Sequence, residues 1–263
     1  MSAILEQRER PAGTTRPFEG PSIGRLVKVE LRKMTDTRAG FWLLIATALV
    51  AAGTVTLILF AGDTDEKTLG GFFSPTVELT SVLLPVLGIL AVTSEWSQRT
   101  ALTTFTLVPR RERVIAAKVL AGVALSAVAV VVCLEAAAVG NVLAPLVGDA
   151  DGSWSLGLER LGGLALYMTI GLMGGLAFGL ALMSSALAIV LYFLLPTVFA
   201  VLAETISSFR GIADWLDLST TLEPLADASM TSEGWAQLGT AVAVWVVLPF
   251  VIGLVRLRRT ELA

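Results

Sequence analysis

The chain has 263 residues, of which 55% are hydrophobic and only 16% are charged, and its formal net charge is −3. A soluble domain has about a quarter of its residues charged, so this composition and a mean hydropathy of +0.78 indicate a membrane protein with several spans. The absence of histidine excludes His-based triads, the H-E-x-x-H metalloprotease pattern and histidine proton relays. The single cysteine, Cys133, excludes a disulfide within the chain.

Two polar segments precede the first apolar run. Residues 1–20 are rich in Pro, Gly, Thr and charges, which predicts a disordered cytoplasmic tail without a cleavable signal peptide. Residues 21–38 have the helical spacing of an amphipathic helix that lies in the membrane surface. Glu30 interrupts its apolar face, from where it can reach Lys33 one turn on. The apolar and basic faces comprise Ile23, Leu26, Val27, Leu31 and Met34, and Arg25, Lys28 and Arg32.

Residues 39–260 predict an all-α domain with six transmembrane helices, because six apolar runs approach the length that crosses a bilayer. The second run is the weakest, since it contains Glu78 and Pro85. The fourth and fifth are separated only by "SSA", which predicts a tight helical hairpin or one broken helix. The six runs are 41–61, 76–92, 114–139, 161–183, 186–203 and 235–255.

The basic residues indicate the orientation. Sixteen of the 19 Lys and Arg residues lie before the first span, in residues 93–118, or after the last span, and six crossings place these three segments on one side. The opposite side has only Lys67, Arg160 and Arg210, together with most of the acidic residues. Because Lys and Arg accumulate in cytoplasmic loops, both termini are predicted to be cytoplasmic. The low content of Lys and the high content of Ala, Gly, Val and Arg favour a bacterial source, so the membrane is predicted to be the cytoplasmic membrane of a bacterium.

Two connections are too long for simple turns. Residues 93–118, "TSEWSQRTALTTFTLVPRRERVIAAK", carry a basic stretch that the positive-inside rule explains, preceded by a surface suited to docking a cytoplasmic protein. Residues 204–234 place apolar side chains at helical spacing, which favours one or two short re-entrant helices that dip into the outer leaflet before the last span. An ordinary extracellular loop is the alternative for residues 204–234.

The order and spacing of these segments resemble the membrane subunits of ABC-2 type transporters, the permeases of ABC exporters, over about residues 22–260. The segment "VELRKMTDTRAGFW" resembles the start of that family's membrane domain, and residues 93–118 resemble its first cytoplasmic loop. Family members often have Gly-Thr where this chain has Arg99-Thr100. The matching positions are Glu30, Lys33, Arg38 and Trp42 in the first segment, and Glu95, Thr100, Pro109, Arg113 and Lys118 in the loop.

The resemblance implies a transport subunit that receives energy from a separate chain. It implies two copies of an ABC ATPase subunit, which would hold the ATP and Mg²⁺, and a second permease subunit, identical or related. The sequence itself has no G-x-x-x-x-G-K-[ST] motif, so neither enzymatic activity nor a cofactor is expected here. Membrane lipids are the other expected partners, and no nucleic acid partner is expected. By resemblance, the residues that dock the ATPase are Glu30, Lys33, Glu95, Thr100, Thr103, Phe105 and Arg113.

Two further features inside the spans are candidates for the substrate pathway or for helix pairing. Glu135 is an acidic residue within the third apolar run, near its outer end, and ionisable residues there are rare and often functional. Gly171, Gly175 and Gly179 lie four apart on one face of the fourth run, which favours close approach of another helix. That helix could belong to this chain or to a second permease subunit.

Three other classes of protein are weighed against the exporter. An intramembrane enzyme is disfavoured by the lack of His, of paired acids and of a Ser or Cys with a nearby base. An ion-coupled secondary transporter typically has acids or broken helices near the midplane, for which only Glu135 and Pro196 qualify. A non-transporting membrane scaffold remains an alternative.

Overall fold

The computed structural model describes residues 21–97, 111–148, 150 and 152–259. None of these residues lies in a β-strand, so the all-α fold class is confirmed. The tail 1–20 and the proposed docking residues Thr100, Thr103 and Phe105 lie outside the described residues. The helices are α1 (Ile23–Asp36), α2 (Arg38–Ala61), α3 (Leu69–Ser81), α4 (Leu84–Ser97), α5 (Arg111–Val147), α6 (Leu158–Leu182), α7 (Ser185–Thr205), α8 (Arg210–Leu216), α9 (Leu218–Ala226), α10 (Ser232–Val242) and α11 (Leu248–Arg259).

Six stretches of helix are long and apolar enough to cross a membrane, which confirms the number of spans predicted from the sequence. The second span comprises α3 and α4, and the sixth comprises α10 and α11, joined by a π-helical segment at Ala243–Val247. The protein is therefore embedded in a membrane. The six spans are Arg38–Ala61, Leu69–Glu95, Glu112–Val147, Leu158–Leu182, Ser185–Thr205 and Ser232–Arg259.

A single residue, Thr37, separates the amphipathic helix α1 from the first span. It ends α1, and its hydroxyl accepts a hydrogen bond of 3.1 Å from the Gly40 amide to cap the start of α2. A Cβ atom at position 40 would collide with the Met34 carbonyl oxygen, so the turn requires glycine there. This short junction holds α1 close to the end of the first span.

The second span is broken at Val82 and Leu83, one turn before Pro85. Proline has no backbone N–H, and its ring clashes with the carbonyl four residues earlier, here that of Ser81. The chain therefore turns, with the Leu83 amide donating to Thr80 at 3.0 Å, before α4 continues the span. Pro85, which interrupts the second apolar run in the sequence, thus also interrupts the helix of the second span.

Spans two and four form the centre of the fold. In each, 61% of the most apolar stretch is buried, against 11% to 33% for the other spans. The glycine face of α6 packs on α4 of the same chain: a Cβ at Gly175 would collide with the Pro85 carbonyl, and one at Gly179 would lie 3.0 Å from the Ile89 carbonyl oxygen. A Cβ at Gly88 of α4 would likewise collide with the Leu172 carbonyl of α6, so small residues on both helices permit the contact.

The fourth and fifth spans form a helical hairpin. Met183 adopts a left-handed conformation, with φ of 53°, that ends α6 and reverses the chain. The Tyr192 hydroxyl of α7 then donates a hydrogen bond of 3.3 Å to the Gly171 carbonyl of α6. Of the two sequence alternatives, the hairpin is the one that forms.

Residues 204–234 form two short helices, α8 and α9, preceded by a 3-10 turn at Ser207–Phe209. Leu218, Leu222 and Leu225 are buried in a cluster that includes Ile170 of α6. Ile170 is twelve residues into its helix, about 18 Å from the N-terminal end of that helix. The predicted short helices are present, and their insertion into the outer leaflet stays a prediction.

The contact between α4 and α6 generates a prediction about stability. We expect Gly175→Ala to lower the free energy of unfolding by about 1–3 kcal/mol, because the added methyl group must displace the Pro85 backbone. Gly171→Ala is the matched control, since its Cβ would meet nothing closer than the Pro85 ring at 3.8 Å. Thermal unfolding of the detergent-purified variants measures both. Equal stability of the two variants would contradict the close contact.

Candidate functional site: a buried ion-pair cluster

Four charged side chains from three helices meet where α1 packs against the ends of α4 and α5. Glu30 and Lys33 lie one turn apart on α1, Glu95 lies in the last turn of α4, and Lys118 lies in the second turn of α5. We call these four residues the ion-pair cluster. Two are cations and two are anions, so the cluster is formally neutral.

Lys118 is the centre of the ion-pair cluster. Its side chain is only 1% exposed, and its ammonium group donates three hydrogen bonds: to Glu30 Oε2 at 2.6 Å, to the Ala91 carbonyl at 2.8 Å and to Glu95 Oε1 at 3.1 Å. A lysine ammonium has three N–H donors, so each has an acceptor. Full pairing is what allows a charge to be buried this deeply.

Lys33 closes the cluster from its outer rim. Its ammonium group donates to Glu30 Oε1 and to Glu95 Oε1, each at 2.7 Å, and its side chain is 38% exposed. Burial alone would lower the pKa of Lys33, but the hydrogen bonds to Glu30 and Glu95 outweigh that effect and raise its pKa. Lys33 therefore stays charged at neutral pH, and its stabilising contribution is lost only as the pH rises through that raised pKa.

Neighbouring contacts join the other helix ends to the same end of the molecule. Arg113 donates to the Pro21 carbonyl at 2.7 Å, which ties the start of α5 to the chain before α1. The hydroxyls of Thr93 and Ser185 share a hydrogen bond of 2.7 Å between α4 and α7. Arg258 of α11 pairs with Glu112 of α5 at 2.6 Å. The described parts of the three basic segments therefore lie together, as the six-span topology requires.

The residues that the sequence assigned to docking differ in their exposure. Glu30 and Glu95 are 4% and 5% exposed, so their carboxylates face Lys118 rather than an external partner. Lys33 and Arg113 are partly exposed, although both also bind within the chain. The burial of Glu30 and Glu95 favours an indirect role in docking, through the positions of the helices that carry them, and that role stays a prediction. Direct docking by the other residues stays a prediction.

Sequence reasoning did not include Lys118 among the site residues. It counted this lysine as one of the cations of the cytoplasmic loop, although the structure places it at the centre of the cluster. One signal was present: Glu30 interrupts an otherwise apolar face, and a buried acid requires a cation. The expected contact between Glu30 and Lys33 is present, but it uses only one of the two carboxylate oxygens.

The residues proposed for the pathway or for helix pairing have different surroundings. Gly175 and Gly179 pair helices within the chain, against α4, and Gly171 lies beside them at ordinary contact distance. Glu135 is exposed on the apolar outer face of α5, between Val131 and Val139. Within the part of the chain that the structure describes, Glu135 has no hydrogen bond or salt bridge.

Among known proteins, neither a family model nor a curated sequence matches the chain.

The ion-pair cluster predicts a large loss of stability when Lys118 is removed. We expect Lys118→Met to lower the free energy of unfolding by about 3–5 kcal/mol, because Glu30 and Glu95 would stay buried without their main cation. Glu112→Gln is the control: it breaks an exposed pair at the same end of the molecule and should cost at most about 1 kcal/mol.

The measurement is thermal unfolding of the purified variants in one detergent. A triple variant, Lys118→Met with Glu30→Gln and Glu95→Gln, should regain part of the loss, because it removes the unpaired charges. If Lys118→Met were as stable as Glu112→Gln, the buried pairing would be contradicted.

Proposed function

We propose that the chain is the permease subunit of an ABC-2 type exporter in the cytoplasmic membrane of a bacterium. It moves a substrate across the membrane with energy from two copies of a separate ABC ATPase subunit, which hold the ATP and Mg²⁺. It pairs with a second permease subunit, identical or related. Both termini and the loop between α4 and α5 are in the cytoplasm.

One observation carries this proposal. Four of the positions at which the sequence resembles the permease family are Glu30, Lys33, Glu95 and Lys118, and they converge in the ion-pair cluster. Glu30 and Lys118 are 88 residues apart in sequence, so this convergence is not a consequence of local spacing. These four residues thus form one structural unit, which supports a common role for them.

The cluster has the geometry of a mechanical coupler. Glu95 lies near the end of α4 and Lys118 lies in the second turn of α5, so their contact ties together the two helices that flank residues 98–110. Glu30 ties α1 to the same point. A force applied to the loop or to α1 is therefore passed to the second and third spans together. An ATPase that binds at this end can move the spans without any catalytic group in this chain.

Contacts at the two ends of the molecule support the interfacial helix α1 and the re-entrant helices α8 and α9. Helix α1 presents exposed Lys28 and Arg32 beside the first span, as an interfacial helix does. At the opposite end, the Trp245 indole donates to the Leu216 carbonyl at 2.7 Å. Trp245 is thirteen residues into the sixth span, about 20 Å from its start, which supports insertion of α8 and α9 into the outer leaflet.

Glu135 is proposed to face the pathway or the second permease subunit. A carboxylate on an exposed apolar helix face within a span is unfavourable in contact with lipid chains. Contact with a second subunit or with a water-filled path removes that cost. This role belongs to the proposal and is independent of the ion-pair cluster.

An ion-coupled secondary transporter is the second candidate, because the second span is discontinuous at Val82 and Leu83, with Glu78 one turn earlier. Glu78 lies in a cavity of about 460 Å³ that also contains Glu223 and Asp227. The two candidates differ in their source of energy: the secondary transporter needs an ion gradient, and the exporter needs an ATPase subunit.

The orientation predicts a labelling pattern. In a Cys133→Ser background, a membrane-impermeant thiol reagent should modify cysteines at Asp65 and Asp227 in intact cells, and a cysteine at Glu112 only after permeabilisation. All three positions are exposed and lie at the two ends of the spans. Labelling at position 112 in intact cells would reverse the orientation and remove the docking surface from the cytoplasm.

The proposed function predicts an ATPase partner that requires the loop. Affinity purification of the full chain from native membranes should recover a P-loop ATPase, identified by mass spectrometry, and the complex in nanodiscs should hydrolyse ATP. Replacing residues 98–107 by a Gly/Ser linker should abolish recovery of the ATPase. The control replaces the outer turn 63–66 by Gly and Ser and should leave recovery unchanged.

A positioning role for Glu95 predicts a separate outcome in the same preparation. Glu95→Gln should retain the ATPase but weaken the stimulation of ATP hydrolysis by substrate or lipid, whereas Glu112→Gln should behave as the wild type. Recovery of the same ATPase after loop replacement, or an activity that depends only on an ion gradient, would contradict the exporter.

A further inference from the structure

A groove between α1 and α5 combines two cations with an apolar floor. Lys28 and Arg32, one turn apart on α1, lie at its polar rim with Thr35, and its volume is about 580 Å³. The floor is formed by Leu31 of α1 and by Ala124, Leu125 and Val128 of α5. Lys28 and Arg32 are exposed, whereas Leu125 is 6% exposed, so charge lies outside and apolar surface inside.

We propose that this groove binds one anionic phospholipid, with its phosphate at Lys28 and Arg32 and an acyl chain along α5. The site requires the membrane spans but does not depend on the exporter function. It assigns a defined ligand to the face of α1 that carries Lys28 and Arg32.

The charges at the rim favour a phosphate. A lysine ammonium acts as a point charge and an arginine guanidinium offers several planar N–H donors, and both groups bind phosphate well. Arg32 also pairs through Nε with Asp36 Oδ2 at 3.2 Å, but both side chains are largely exposed. The remaining guanidinium N–H groups can therefore face the groove. The Thr35 hydroxyl is engaged with the Leu31 carbonyl at 3.2 Å and is not needed for binding.

The floor favours a lipid over a soluble phosphate. From Ala124 to Val128 the groove follows one turn of α5 within the third span. Beyond it, an exposed apolar stripe continues to Val131, one turn before the exposed Glu135. Soluble phosphates have no group that would occupy this stripe, and in a zwitterionic lipid the choline ammonium offsets the phosphate charge that the two cations would attract.

The location also connects the groove with the ion-pair cluster. Leu31 directly follows Glu30, and Lys118 is six residues before Ala124 on the same helix. A lipid in the groove would hold α1 against α5 from one side, and the Glu30–Lys118 pair would hold it from the other. Binding would therefore stabilise the same packing of helices.

Native mass spectrometry of the full detergent-purified chain tests the proposal. The probes are dioleoylphosphatidylglycerol and dioleoylphosphatidylcholine, which have the same acyl chains, and glycerol 3-phosphate as the soluble headgroup. We expect one tightly bound phosphatidylglycerol, at least about tenfold tighter than phosphatidylcholine, because each Lys or Arg near an anionic lipid contributes about 1 kcal/mol. Glycerol 3-phosphate should neither bind nor compete.

Two pairs of variants locate the site. Lys28→Ala with Arg32→Ala should remove the preference for phosphatidylglycerol, whereas Arg25→Ala with Arg38→Ala changes the charge equally at exposed positions outside the groove and should retain it. Val128→Trp should fill the groove and weaken binding, whereas Val190→Trp, at an equally exposed valine of α7 outside the groove, should not.

Three results would overturn the proposal. Equal loss of binding in both charge variants would show only a general attraction to anionic lipid. Wild-type binding in Val128→Trp would place the acyl chain elsewhere. Competition by glycerol 3-phosphate would identify a phosphate site without a lipid chain. All the substituted side chains are partly or fully exposed, so the variants are expected to fold, and thermal unfolding in detergent checks this.

Discussion

The rest of the structure depends on the burial of one positive charge, the Lys118 ammonium group. A charge inside a protein is tolerated only when it is paired and its donors are satisfied. Lys118 meets this condition by drawing together Glu30 from α1 and Glu95 from α4. The N-terminal helix, the second span and the third span are thereby fixed to each other at one end of the molecule.

The basic end of the helix bundle and its interior are held together by different interactions. At the basic end, ion pairs and hydrogen bonds join the helices, from Lys118 to the contact between Thr93 and Ser185. In the interior, α4 and α6 approach through glycines, with Gly175 against the Pro85 backbone. Glycine contacts depend on the shape of the two helices, whereas the ion pairs depend on charge.

The sequence was sufficient to predict the spans, but it was not sufficient to predict which residues and helices contact each other. Hydropathy located all six crossings, and the "SSA" linker predicted a hairpin or a broken helix after the fourth span. Pro85 marked the second run as the weakest, but the break at Val82 and Leu83 was not predicted. Periodicity also identified Glu30 as an interruption of an apolar face. Its principal partner could not be predicted, because Lys118 lies 88 residues away and a count of basic residues does not distinguish a buried lysine from a loop lysine. The helix facing the glycines was undetermined for the same reason: spacing identifies a face but not its neighbour.

A buried ion cluster needs an explanation other than stability, because well-packed apolar side chains of similar volume often stabilise a protein as well or better. In a bundle whose helices are apolar on most faces, sliding of one helix along another exposes little new polar surface. The ion-pair cluster removes that freedom, since displacing α1 by one turn would separate Glu30 from Lys118 and leave both charges buried. We infer that the cluster fixes the register of α1, α4 and α5. A partner that moves the loop must then move the three helices as one body, which is the behaviour that a coupling element requires.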